Sequence, residues 1–368
     1  MYALGNNICA NLPPNRIHQV DERAHYPLVT VIRELDVPTF PLRAFDANLI
    51  GHPETYVGRG SSYIVTRSLM IARNQFKALP QEYDQGSPVV LKRVLSRQGW
   101  DHLSPYRQNL AQLRAVISDL RVLLHPPLRE SQFVIDLLGI SWYKEVDSRV
   151  MPALVMHCAT YGSLADFQAG RLRVLDSETK ARLSLDVAKG LFALHGCGII
   201  HGDVKSENIL LDHAPDREQF DGLIAKISDF GGALLDVSED TEFPNGIGGT
   251  VPWMAPEALT KLRGFSAVQK TDVYSFGMLV WRVFADDFHG VQSSRQILAR
   301  LSHQGAILSV AQQSILALDS RYRSVIHEIL TQCLAADPMA RESSLKPAVE
   351  ALRGNEKFDL IIESVVRT

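Results

Sequence analysis

"IIHGDVKSENILL" (residues 199–211) sets a histidine, an acid, a lysine and an amide within eight residues, between two short apolar runs. Apolar runs of that kind read as buried strands, and polar side chains beside buried segments are costly unless they are partnered or used. Asp203 is placed to accept a proton from an attacking hydroxyl, and Lys205 could steady a migrating phosphoryl group. Asn208 offers a neutral oxygen to a hard cation, which prefers oxygen ligands. His201 reads as a structural residue that packs and orients the loop rather than as a general base.

Downstream, "SDFG" (228–231) adds a second acid, Asp229, at the end of the strand-like run "LIAKISDFGG" (223–232), with Gly231 allowing a sharp turn. Each acid alone could be a turn residue. Two oxygen ligands from adjacent hairpin-like segments, however, suit magnesium bridging phosphates.

Upstream, "TYVGRGSSYIVTRSLM" (55–70) reads as strand, glycine turn, strand, and "SPVVLKRVL" (87–95) as a third strand. Ser104-Pro105 then opens a long helix, with Leu110, Leu113, Val116, Ile117, Leu120 and Leu124 at helical spacing, which "HPPLR" (125–129) ends. Strand-like runs return at 133–143 and 149–158. The glycines Gly58 and Gly60 lie between two strands, which argues against a dinucleotide fold, whose glycines open a helix. They make either a plain hairpin turn or a loop that lays backbone N–H groups over phosphates. Lys92 faces solvent by alternation unless something acidic meets it, and Asp119, flanked by the apolar stripe, could point inward.

After Gly162 the pattern is mostly helical. Asp176 or Ser177 caps a helix carrying Leu183, Val187, Leu191 and Leu194, and amphipathic helices fill most of 268–355. A β-rich piece joined to an α-rich piece near 157–162 predicts two lobes with a cleft between them. Residues 1–50, with "NLPPN" and "VPTFPLRAF", read as an irregular or partly disordered extension.

The totals are those of an ordinary soluble protein: 46% hydrophobic and 21% charged over 368 residues. With 38 basic against 41 acidic side chains, a net of −3, nothing points to nucleic acid or an anionic membrane as the main partner. Four scattered cysteines, Cys9, Cys158, Cys197 and Cys333, fit neither a disulfide framework nor a zinc cluster and are expected as buried thiols. "MYALGNNICANLPPNR" lacks the pattern of a signal peptide, and "VYSFGMLVWRVF" (273–284) is too short for a membrane span and reads as a core helix. The cytosol or nucleus is the expected compartment.

Taken in order, Gly58-x-Gly60, Val89-Val90-Leu91-Lys92, His201-Gly202-Asp203-x-Lys205-x-x-Asn208, Asp229-Phe230-Gly231 and Ala255-Pro256-Glu257 resemble the eukaryotic protein kinase family. The resemblance covers roughly residues 55–355, and "HGDVKSEN" and "HPPLR" are similar to kinase-like proteins of filamentous fungi. It implies an α+β bilobal fold, with a small antiparallel β N-lobe carrying one long helix and a larger, mainly α-helical C-lobe. The implied domain is 51–358, divided into lobes at 157/158, with a tail at 359–368.

The family implies ATP and Mg2+ as cofactors and a protein with a serine or threonine hydroxyl as substrate. Gly58 and Gly60 would cover the phosphates, and Lys92 would hold the α/β-phosphates. Val65, Val90, Ser163 and Leu210 would line the nucleotide site, with Met156 as gatekeeper and His157 to Ala159 meeting the adenine. Asp203 would be the catalytic base, Lys205 would lie on the γ-phosphate, and Asn208 and Asp229 would hold magnesium. Asp119, His201, Phe230, Gly231 and Asp272 would support these groups, and Glu257 would pair with Arg341. Lys205 two residues after Asp203, with "GTVPWMAPE" (249–257) downstream, resembles serine/threonine rather than tyrosine kinases.

Four departures stand out. Tyr63 replaces the third loop glycine, and Asp119 falls where the family has a glutamate, one methylene longer. Gly202 stands where many kinases carry an arginine that pairs with an activation-loop phosphate, and Ser206 where proline is common. Ser238 and Thr241 lie among Asp236, Glu239, Asp240 and Glu242, so activity is expected not to require phosphorylation there. Two other readings stay open: a kinase-fold protein that holds nucleotide or a partner without useful turnover, and a small-molecule phosphotransferase of related fold.

Overall fold

The structure, a computed structural model, describes residues 26–41, 44–45, 56–59, 63–70, 86–94, 105–144, 150–170, 175–220, 222–285 and 306–353. The chain forms two compact units: Met1–Thr160 with Ser228–Asp236, and Tyr161–Ile227 with Val237–Thr368. The fold is α+β and bilobal, with the strands concentrated in the first unit and the helices in the second.

The first unit is built on a six-stranded sheet. Its strands are β1 (Thr39–Phe40), β2 (Tyr56–Arg59), β3 (Tyr63–Leu69), β4 (Pro88–Val94), β5 (Leu137–Lys144) and β6 (Val150–His157), in the spatial order β1-β5-β6-β4-β3-β2. The β-branched run Val89-Val90 places β4 in the sheet interior, where β3 pairs with one edge and β6 with the other. Its helices are α1 (Tyr26–Glu34), α2 (Pro105–Leu123) and a single turn, α3 (Pro126–Arg129). On α2 the expected stripe is buried at Leu113, Val116 and Leu120 and half-buried at Ile117, with Leu124 half-buried just past its end, and α1 packs against this helix.

Residues 26–41, expected to be irregular, instead form helix α1 and strand β1. Leu28 and Val31, one turn apart, are buried. Strand β1 joins β5 in parallel, Thr39 opposite Ile140. The close approach requires Gly139, where a Cβ would lie 2.2 Å from the Pro38 carbonyl oxygen. Phe40, Ala44 and Phe45 then close one core with Met70, Val89, Leu91, Leu138 and Val155. Gly60, Ser104, Cys9 and the tail at 359–368 lie outside the described residues.

The second unit opens with α4 (Leu164–Ala169) and α5 (Ser177–Gly196). Asp176 is the cap of α5, its carboxylate accepting from the Thr179 N–H at 2.7 Å. A two-stranded ribbon follows, β7 (Ile209–His213) and β8 (Leu223–Ile227), so the opening apolar runs of 199–211 become a bridge-like stretch and a strand. A second short ribbon pairs β9 (Glu242–Phe243) with β10 (Leu262–Arg263). Helix α6 (Phe265–Phe284) is buried along almost its whole length, as its apolar composition requires, and packs against α5 and α8. Helices α7 (Ile307–Ser314), α8 (Ser320–Cys333) and α9 (Lys346–Arg353) complete the described part.

No helix among the described residues is long and apolar enough to cross a membrane. Cys158, Cys197 and Cys333 make no disulfide, and burial raises the last two thiols to about 11 and about 12.

Candidate active site

In the sheet unit, the β3–β4 register sets Val65 opposite Lys92 and Tyr63 opposite Val94. Side chains two apart on a strand share a face, so Tyr63 and Lys92 are diagonal neighbours on that face. Lys92 is 5% exposed and Asp119, on α2, 0%. The Lys92 ammonium donates to Asp119 Oδ2 at 2.8 Å and to Asp229 Oδ1 at 2.9 Å. The shorter acid therefore still reaches the lysine.

Two further donors complete the Asp119 carboxylate. The Phe230 N–H donates to Oδ1 at 2.9 Å, and the Tyr63 hydroxyl donates to Oδ2 at 2.8 Å. Burial by itself lowers the Lys92 pKa, but the charges of Asp119 and then Asp229 outweigh it and leave the ammonium above its ordinary value. Burial pushes Asp119 up, against the pull of Lys92. Burial, then the charge of Asp119, holds the Tyr63 phenol well above its usual range, so it remains a donor at neutral pH. Asp229 itself takes a left-handed conformation, φ 65°, which turns the chain into Phe230 and Gly231. Phe230 is fully buried.

In the helical unit the organising residue is Asp272 on α6, 1% exposed. Its Oδ2 accepts from the His201 N–H at 2.8 Å and lies 3.0 Å from His195 Nε2, while its Oδ1 accepts from the Gly202 N–H at 2.9 Å. His201, fully buried, uses Nδ1 to accept from the Asp203 N–H at 3.2 Å. The histidine thus shapes the loop from inside.

Asp203 and Lys205 are paired directly, and Thr250 joins them. Its hydroxyl donates to Asp203 Oδ1 at 2.6 Å and accepts from Lys205 Nζ at 3.0 Å. Asn208 Nδ2 donates to the Asp203 carbonyl at 2.9 Å, so a cation would meet the carboxamide through its oxygen. That oxygen, in the helical unit, is a hard donor of the kind magnesium takes, as by itself is the Asp229 carboxylate in the sheet unit.

Glu257 and Arg341 form a buried bidentate pair, and the Arg341 guanidinium also lies 4.9 Å above the Tyr274 ring. Of the remaining expected residues, Gly58, Val65, Val90, Met156, His157 and Ala159 lie in the sheet unit, and Ser163 and Leu210 in the helical one. Met156 is buried at the end of β6, opposite Val90 on β4. Ser163 caps α4, its hydroxyl accepting from the Asp166 N–H at 3.1 Å, and pairs with Leu210 through an isolated bridge.

Two residues of these clusters were not read from the sequence as site residues. Thr250 stands inside the longer stretch 249–257 and Tyr63 reads only as a missing glycine; the Thr250 hydroxyl meets an acid 47 positions earlier in the chain and the Tyr63 hydroxyl one 56 positions later.

The chain belongs to the protein tyrosine and serine/threonine kinase family, which it matches over residues 107–350. Among curated proteins it is similar to the dual specificity protein kinase splA of Dictyostelium discoideum, 33% identical over 189 residues, which is 49% of this chain and 7% of that protein. The dual specificity protein kinase zak2 of the same organism is 28% identical over 254 residues, 65% of this chain and 36% of that protein. The LRR receptor-like serine/threonine-protein kinase FEI 2 of Arabidopsis thaliana is 32% identical over 190 residues, 49% of this chain and 30% of that protein. The matched stretches thus span about a third or less of the length of these relatives.

Proposed function

We propose that this protein is an active serine/threonine protein kinase that transfers the γ-phosphoryl group of Mg-ATP to a hydroxyl of a protein substrate. The observation that carries the reading is the cluster in which Thr250 joins Asp203 and Lys205, the latter two on a loop held by Asp272. Asp203 accepts the hydroxyl proton as the substrate oxygen bonds to the γ-phosphorus and the bond to the β-phosphate oxygen breaks, releasing ADP. Lys205 supplies positive charge to the transferring group. Lys92, charged through its two carboxylate partners, holds the α/β-phosphates. Asn208 and Asp229 would supply oxygen ligands to magnesium, which neutralises phosphate charge when bound.

The second reading, a nucleotide-holding protein without useful turnover, is favoured only by the Asp119 and Tyr63 departures. The retained Lys92, Asp203, Asn208 and Asp229 weigh against it. Incubation with radiolabelled ATP and a generic basic protein, beside Asp203→Ala, decides between them. Wild-type transfer that falls at least about a thousandfold in the variant supports the kinase reading. Thermal stabilisation by nucleotide with no transfer in either protein supports the other. Because two of the relatives described above are named dual specificity kinases, the labelled product is hydrolysed and its phosphoamino acids separated. Label on serine or threonine is expected, and label on tyrosine overturns the specificity.

A further inference from the structure

We propose that Tyr63 is a positioning residue for Lys92, its hydroxyl and ring holding the Asp119 carboxylate and the Lys92 ammonium in register so that the shorter acid can serve as the lysine's partner. This rests on the kinase reading for its catalytic consequence, though not for the contact itself. Tyr63 stands where the family's third loop glycine would be, and a glycine there supplies none of the following contacts.

The phenol is 4% exposed, and its hydroxyl donates to the same Asp119 oxygen, Oδ2, that accepts from Lys92. The Lys92 ammonium also lies 4.1 Å from the centre of the Tyr63 ring, within the range of a cation–π contact. The ring edge reaches the 228–236 segment, for a Cβ at Gly231 would lie 3.1 Å from Tyr63 Cε2 and 3.3 Å from the Ala115 Cβ. One side chain therefore touches the lysine, its acid and the turn that carries Asp229. An aspartate has one fewer rotatable bond than glutamate, and a second donor on Oδ2 fixes the rotamer that reaches Lys92. The substitutions at 63 and 119 thus belong together: the phenol fills the space and supplies the hydrogen bond that make the short acid sufficient.

The test is a set of four proteins: wild type, Tyr63→Phe, Asp119→Glu and the double variant. Tyr63→Phe keeps the ring and removes the hydroxyl, and kcat/KM for ATP is expected to fall about tenfold, the effect of one buried charge-assisted hydrogen bond. Asp119→Glu alone is expected to fall as well, because the added methylene meets the phenol. The double variant is expected to recover to within about threefold of wild type, since the longer acid no longer needs the tyrosine hydroxyl. A residue that merely packs would show additive losses and no recovery. Additive losses, or a Tyr63→Phe protein with unchanged kcat/KM, overturn the proposal.

A second measurement is independent of turnover. Urea unfolding of Tyr63→Phe, Asp119→Asn and their combination, without nucleotide, is expected to show coupling between the two sites. If wild type transfers no phosphate but the cycle is coupled, the kinase reading fails and the Tyr63–Asp119 contact stands. If the cycle is additive, the positioning role fails whatever the activity.

Discussion

Asp119 and Asp272 are both buried aspartates, one in each unit, and their surroundings push them in opposite directions. Burial raises both. At Asp272 the hydrogen bond and charge of His195, the charge of His201 and the Gly202 N–H more than reverse it, and the carboxyl ends below its ordinary value. At Asp119 the lysine that would do the same is shared with a second carboxylate, Asp229, and the carboxyl stays above it. Asp272 fixes a backbone. Asp119 fixes the Lys92 side chain, which also reaches Asp229, and its partners are correspondingly divided.

Asp272→Ala breaks the comparison at its stronger end. It leaves the His201 and Gly202 N–H groups and the His195 ring without their acceptor in a buried place, so the loss of stability should reach about 3–5 kcal/mol. Asp203, on the loop those N–H groups anchor, should lose its alignment with the attacking hydroxyl, and transfer should fall at least about a hundredfold. Urea unfolding and the radiolabel assay measure the two effects. Asp119→Asn should cost less, about 1–2 kcal/mol, because an amide oxygen still accepts from the Phe230 N–H and Lys92 keeps Asp229. Equal destabilisation by the two substitutions would mean that the kind of partner does not matter.

The pH dependence sharpens the contrast, because the two signs differ. Asp272 has a folded pKa below its unfolded value, so the unfolded state binds more protons between the two. Its stabilisation is present above about pH 4, the unfolded value, and is lost as pH falls through the folded one. Asp119 is the reverse: its folded pKa lies above the unfolded value, and the folded state binds the extra proton. Relative to an uncharged variant, wild type should therefore gain stability as pH falls through the raised value toward about 4. Urea midpoints of wild type, Asp119→Asn and Asp272→Asn between about pH 3 and about pH 7 should give stability differences of opposite slope. Slopes of the same sign would refute the division.

The same contrast explains what could be read from the sequence. A loop held through its backbone needs particular residue types at short spacing, so Gly202, Asp203, Lys205 and Asn208 announced themselves within a few positions, as did Asp229-Phe230-Gly231. The α+β class followed from β-branched runs in the first part and 3.6-residue stripes in the second. Tyr63 was legible only as a missing glycine, because alternation does not say which acid 56 residues away its hydroxyl will meet. Lys92 was ambiguous for the same reason. Helix α1 and strand β1 escaped because nine residues carrying a proline, Pro27, and two residues between Pro38 and Pro41 show too little periodicity. The placement of β1 depends on pairing with β5 and on the side chain that Gly139 lacks, and that of α1 on packing against α2.

The smallest expected effect concerns the loop that Asp272 supports. Gly202 gives Asp272 its N–H and has φ 76°, a conformation glycine adopts without strain, but it has no side chain with which to grip a phosphate. Ser238 and Thr241 are hydrogen-bonded to each other, and the acids beside them already have partners: Glu239 accepts from Ser266, Asp240 from Arg263, and Glu242 pairs with Lys261. A phosphate on either hydroxyl would enter an acidic run and compete for those two exposed cations, a weak gain at physiological salt. Phosphatase treatment should accordingly leave transfer activity within about twofold, and so should replacing Ser238 and Thr241 together by alanine. A large loss in the first experiment, restored by rephosphorylation, would show that a cation at a position other than 202 orders the segment, and Arg263→Ala would then be the variant to examine.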